Sequence, residues 1–196
     1  MKIQRWRTLG DERIATTPIF DLYRRRSTNP RRGERNFYLL TPSNWVNIIP
    51  LTSDGQVVMI RQWRHGISDF TLEIPGGMVD PEDRSPRAAA RREMIEESGY
   101  DSRKITALGK VHPNPAIQPN YCYSFLADDV RLIAAPQFHG DEEIGVVKVP
   151  LSDVGRLITS GKITHALVIT AFAFLDLRND LPKQAARPKG ARKRRS

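Results

Sequence analysis

The sequence predicts an α+β fold, a mixed sheet covered by helices. Short alternating or apolar runs bounded by turn residues fill most of the first half of the chain. A strongly helical run with capping residues at both ends occupies residues 85–99. A long apolar helix closes the globular part at residues 164–179.

Taken in order, PIFDLYRRR (18–26) and RNFYLL (35–40) read as strands joined by the hairpin tip STNPRRGE. WVNIIPL (45–51) and QVVMIRQW (56–63) flank Asp54-Gly55, a strong turn pair. FTLEI (70–74) alternates as a strand and runs into Pro75-Gly76-Gly77, read here as a sharp turn. Ser85 suits a helix N-cap, Pro86 the first helical residue and Gly99 the position past the end. Between them RAAARREMIEES has high helix propensity. KITALGKV (104–111), NYCYSFLADDV (120–130) and GVVKVPL (145–151) read as further strands, the first two separated by the loop HPNPAIQP. Two helices follow, at 152–160 and 164–179; the second is apolar around most of its circumference and should be buried against a sheet. The chain contains no internal repeat.

A chain of 196 residues can bury one sizeable core. No apolar run approaches the ~20 residues a bilayer span needs, and the N-terminal stretch has no apolar signal region. With the single cysteine, Cys122, in an apolar run, the expectation is a cytoplasmic protein without disulfides or membrane contact. The net charge of +9 is unevenly spread: residues 182–196 carry seven Lys and Arg and no acid, leaving +2 on the rest. That tail reads as disordered and solubilising, with loose nucleic-acid contact as the alternative.

The chemistry concentrates in Arg92-Glu93-Met94-Ile95-Glu96-Glu97-Ser98-Gly99-Tyr100. Positions i, i+3 and i+4 share a helix face, so Glu93, Glu96 and Glu97 point the same way. Carboxylates this close repel one another unless a cation compensates, and a hard divalent cation takes oxygen ligands. The other reading is a solvated surface helix laced with ion pairs. The glycine turn and acidic loop before the helix favour a site, because Gly76 and Gly77 let a ligand approach the backbone.

The segment from Gly77 to Tyr100 resembles the Nudix box, G-x5-E-x7-R-E-U-x-E-E-x-G-U, with U a bulky apolar residue. Arg92 to Tyr100 match it in full. The first half carries one extra residue, so either Glu82 or Asp83 takes the acidic position that braces the box arginine. Beyond the box, WVNIIPLTSDGQVVMIRQWRHG, TLEIPGGMVD and HPNPAIQPN resemble the ADP-ribose pyrophosphatase and nucleotide-sugar hydrolase branch.

The resemblance implies a Nudix-type α/β/α sandwich over residues 45–181. Residues 1–44 would be a β-rich extension that pairs two subunits into a homodimer, and 182–196 a basic tail. It implies Mg²⁺, or Mn²⁺, held by Glu93, Glu96, Glu97 and the Gly76 carbonyl, with Glu142 as a further ligand or base and Glu143 next in line. Arg92 and Glu93 belong to the catalytic set. Arg64 is expected on the substrate phosphates, and Pro115 marks ADP-ribose-type substrates. Trp45, Phe37, Tyr38 and Tyr121 are the aromatic candidates for a nucleoside pocket. The implied reaction is hydrolysis of the diphosphate bond of an ADP-ribose or GDP-mannose type substrate, with the glutamates ionised at neutral pH and activity rising with pH. RNA decapping or nucleic-acid-end hydrolysis and a non-catalytic Nudix-like ligand sensor are the alternatives. The four histidines show no metal-ligand spacing.

Overall fold

The computed structural model describes residues 3–137 and 143–180. The expectations for Glu142 and for the basic segment 182–196 lie outside the described residues.

Three strands, β1 (Arg7–Thr16), β2 (Asp21–Asn29) and β3 (Gly33–Thr41), form an antiparallel sheet of their own. β1 is a strand that the sequence reading misses. Its run RTLGDERIAT lacks apolar alternation, and charges opposite charges hold it instead. Asp11 faces Arg25 and Glu12 faces Arg24 across the ladder. Arg25 donates to both oxygens of Asp11 at 2.8 and 2.7 Å, and Arg24 pairs with Glu12. Exposed pairs like these add little to stability, so they favour register more than they hold the sheet together.

The larger sheet is built from β4 (Trp45–Leu51), β5 (Gln56–Arg64), β6 (Asp69–Glu73), β7 (Gly76–Met78), β9 (Lys104–Val111), β10 (Cys122–Asp128) and β12 (Ile144–Pro150). Its order is β12-β5-β4-β10-β9, with β6 added on β5 and β7 on β4. β4 and β10 run parallel while the other pairings are antiparallel, so the sheet is mixed. Two short strands, β8 (Tyr100–Asp101) and β11 (Arg131–Leu132), pair beside it.

Helices cover both faces, as the α/β/α reading expects. α1 (Pro86–Ser98) packs Ala89, Ala90 and Met94 against Val46, Ile48 and Val58. A 3₁₀ turn (Leu151–Asp153), α2 (Val154–Thr159) and α3 (Ala166–Asp180) cover the other face, where Val168, Ala171, Phe172 and Leu175 meet Ile49, Val57 and Met59. Adjacent residues Ile48 and Ile49, and likewise Val57 and Val58, enter opposite cores, which is the strand period at work. The helix expected at 152–160 is therefore a 3₁₀ turn followed by a shorter helix.

α1 starts and stops where its capping residues place it. Ser85 Oγ accepts from the Ala88 N–H at 3.2 Å, and Gly99 closes the helix at φ 74° with its N–H on the Ile95 carbonyl. A Cβ at Gly99 would lie 2.2 Å from the Ala134 carbonyl oxygen, so space as well as conformation requires glycine there. Among the described residues, no helix is long and apolar enough to cross a membrane.

Candidate active site

Gly76 and Gly77 lie in β7, antiparallel to β4, and not in a turn. Neither has positive φ. Their small size serves close approach. A Cβ on Gly76 would fall 2.3 Å from the Val46 carbonyl oxygen, and one on Gly77 would fall 2.5 Å from Glu93 Oε1. β7 thus lies directly against the acidic side of α1. Glu97, buried at 6% exposure, accepts from the Gly76 N–H at 2.8 Å. Glu93, Glu96, Glu97, Gly76 and Gly77 all line one cavity of about 750 Å³.

Arg92 organises the acids. Its Nη1 donates to Glu93 Oε1 and Glu96 Oε2, both at 3.0 Å. Its Nη2 donates to the Met78 carbonyl at 3.1 Å and to Asp83 Oδ2 at 2.9 Å, and lies 3.0 Å from Asp80. Asp83 also receives Nε at 3.3 Å and caps its own turn by accepting from the Asp80 N–H. Asp83 is therefore the acid that braces the box arginine, whereas Glu82 is exposed. The Asp80–Asp83 turn absorbs the extra loop residue.

One arginine pairs with two carboxyls whose acidities nevertheless shift in opposite directions. Hydrogen bonds from Arg92 hold Asp83 below the usual carboxylate range. Burial pushes Glu93 up to about 7 despite the same arginine, with Glu96 and Asp80 adding to the rise. In the metal-free site, burial thus sets Glu93 apart from Asp83.

The same cavity carries Arg64, which the sequence singles out, beside groups that the sequence reading passes over. Arg64 donates through Nε and Nη2 to the two oxygens of Glu73, both at 2.7 Å. Glu73 is 3% exposed and also accepts from Thr71 Oγ1. Burial pushes its carboxyl up, and the Arg64 bonds and charge outweigh that, so it stays below its usual value. His165 lies beside Glu73, and Asn47, Gln62 and Gln118 also line the cavity. The available signal was an acid on the buried side of an alternating strand, where Thr71 and Glu73 share a face.

Trp45 lines the cavity with Ile19, Phe20 and Pro42, so the end of the three-stranded sheet contributes an apolar wall. Phe37, Tyr38 and Tyr121 stand outside it. Phe37 packs edge-on against Trp6, and Tyr121 packs against His112 beneath Lys110. Pro115 is exposed and also outside the lining, although Gln118 of the same loop belongs to it. Glu143 is exposed, one residue before β12. Cys122 is buried at the cavity floor, where burial pushes its thiol up to about 12 and keeps it unreactive.

The donor set fits a hard divalent cation. Three carboxylates converge on one cavity wall, and the glycine beneath Glu93 leaves no side chain over its oxygens. Among the described residues no three such groups already stand at ligating distance, and Arg92 pairs with two of them.

A sheet between helices, with glutamates and a bracing arginine facing a glycine strand, defines a phosphate-handling hydrolase site. A family model described as the NUDIX domain matches residues 42–172, and the chain belongs to the Nudix hydrolase family. It is 25% identical over 185 residues to an ADP-ribose pyrophosphatase of Bacillus subtilis (strain 168), covering 94% of this chain and all of that one. It is 29% identical over 132 residues to a GDP-mannose pyrophosphatase of Yersinia pestis (strain Pestoides F), covering 63% of this chain and 65% of the relative. A solved ADP compounds hydrolase has the same fold, with a TM-score of 0.80 at 22% identity, covering 91% of this chain and 96% of that one.

Proposed function

We propose that the protein hydrolyses the diphosphate bond of a nucleoside diphosphate sugar, of ADP-ribose or GDP-mannose type, to a nucleoside monophosphate and a sugar phosphate. The observation that carries this reading is one cavity lined by the three glutamates, by Arg64 and by an apolar group around Trp45. Glu93, Glu96, Glu97 and the Gly76 carbonyl would hold Mg²⁺, with Mn²⁺ able to replace it. The cation supplies charge neutralisation at the phosphates and a more acidic water. Arg92 orients Glu93 and Glu96 through its Nη1 bonds. Arg64, set by Glu73, offers its guanidinium to a phosphate, and Trp45 with Ile19 and Phe20 offers the nucleoside an apolar surface. Glu142 or Glu143 would take the proton of the attacking water. The relatives' names support the substrate class.

The exposed apolar side chains of the N-terminal sheet and its approach, Trp6, Ile14, Phe37 and Tyr38, support a homodimer formed through that sheet. A panel of ADP-ribose, GDP-mannose, UDP-glucose, NADH, diadenosine polyphosphates and CoA, assayed with and without Mg²⁺ in ¹⁸O-labelled water, tests the reading. Metal-dependent release of labelled monophosphate from a nucleotide sugar is the expected result. No turnover of any member would favour a ligand sensor. Removing residues 182–196 should leave the activity intact, which an RNA-end hydrolase relying on the tail would not do.

A further inference from the structure

His165 stands immediately before α3 and caps it. Its Nδ1 accepts from the Leu167 N–H at 3.2 Å, so the ring proton resides on Nε2. Asn47 fixes the same turn to β4 by donating to the Leu167 carbonyl at 3.0 Å. The ring is therefore held in one place and one tautomer. Nε2 lies 3.9 Å from Glu73 Oε2, beyond hydrogen-bond range, and makes no hydrogen bond among the described residues. Glu73 is already occupied, taking two bonds from Arg64 and one from Thr71. Arg64 Nη2 and His165 Nε2 thus flank a single carboxylate oxygen, at 2.7 and 3.9 Å, and both residues line the cavity.

We propose that His165 is a substrate-binding residue whose Nε2–H donates to a phosphate oxygen of the bound diphosphate, beside Arg64. An Nε2–H can only donate, and a diphosphate is rich in acceptor oxygens. Arg64 neutralises Glu73, so the carboxylate does not repel an anion there. The inference rests on the diphosphate substrate class proposed above.

Two substitutions separate the roles of the ring. His165→Asn keeps an acceptor at the Nδ1 position, in a residue that caps helices well, and removes the distal donor. His165→Gln keeps a donor near Nε2 and loses the cap. Calorimetric titration of the full-length protein with α,β-methylene-ADP, which needs no turnover, reads the donor; a thermal melt reads the cap. The Asn variant should melt with the wild type and bind about tenfold more weakly, the effect of one hydrogen bond to a charged group. The Gln variant should bind within about twofold of wild type and melt about 2–4 °C lower. Wild-type affinity in the Asn variant, a Gln variant as weak as Asn, or no wild-type binding of the probe overturns the proposal. Wild-type turnover of ADP-ribose is scored separately. Turnover with no dependence on His165 sinks this inference alone, and His165-dependent binding without turnover sinks the proposed reaction alone.

Discussion

Gly77→Ala should separate stability from chemistry. Gly77 has an ordinary negative φ, so alanine is compatible with its backbone. The new Cβ would stand 2.5 Å from Glu93 Oε1, 2.8 Å from Cδ and 3.1 Å from Oε2, all side-chain atoms. To restore a contact of ~3.5 Å the carboxylate must retreat by about 1 Å. The end of a glutamate can do that by rotating, so unfolding free energy should fall by less than about 1 kcal/mol. A misplacement of about 1 Å at a reacting centre costs about a hundredfold in rate. Gly76→Ala is the contrasting control, because its Cβ meets the Val46 carbonyl oxygen at 2.3 Å, and backbone inside a sheet cannot swing away. It should lose about 2–4 kcal/mol. The assay is kcat/KM for ADP-ribose over a Mg²⁺ titration, alongside urea denaturation without metal. A Gly77→Ala enzyme with wild-type kcat/KM and Mg²⁺ dependence would refute the placement of Glu93 at the reacting centre.

Three further outcomes follow from the same geometry. Glu97→Gln keeps an acceptor for the Gly76 N–H and removes the charge, so urea midpoints should barely move while turnover falls at least about a hundredfold; equal loss of both would make Glu97 a structural residue. Arg92→Lys gives up the fork that reaches Asp83, Glu93, Glu96 and Met78, and should lose about 2–4 kcal/mol in urea denaturation, against which a change under about 0.5 kcal/mol would count decisively. Glu93 has a folded value of about 7 against 4.5 unfolded, so the folded state binds more protons between them. The metal-free protein should therefore lose stability as pH rises from about 4.5 to about 7, Glu93→Gln should flatten that slope, and an unchanged slope in the variant would show that another group causes it.

What could be read from the sequence follows the range of the forces involved. α1 was legible to the residue because Ser85, Pro86 and Gly99 act within one turn of the helix. The sheet's strands were legible as runs, but their order was not, since the parallel pairing of β10 with β4 joins residues more than seventy apart. β1 escaped notice because its partners are arginines on another strand. The turn assigned to Gly76-Gly77 was a misreading of why glycine is there. The residues that require it, Val46 and Glu93, lie elsewhere in the chain. The choice between Glu82 and Asp83 needed the fold of the loop, and Glu73 and His165 acquire meaning only once Arg64 and α3 meet them.

The site's acids divide their labour through one guanidinium. Asp83 takes two of Arg92's hydrogen bonds and is held firmly ionised. Glu93 takes one, and the cost of burying its charge exceeds what Arg92 returns. Environments that push paired groups apart in this way assign their roles. The loop acid is satisfied within the protein and serves to hold the arginine. The helix acid is left short of positive charge, which favours a cation that would complete it. A surface helix laced with ion pairs would instead distribute its arginines until every carboxylate was lowered. The upward shift at Glu93, beside a glycine that could be nothing larger without displacing it, favours a built site over a solvated face.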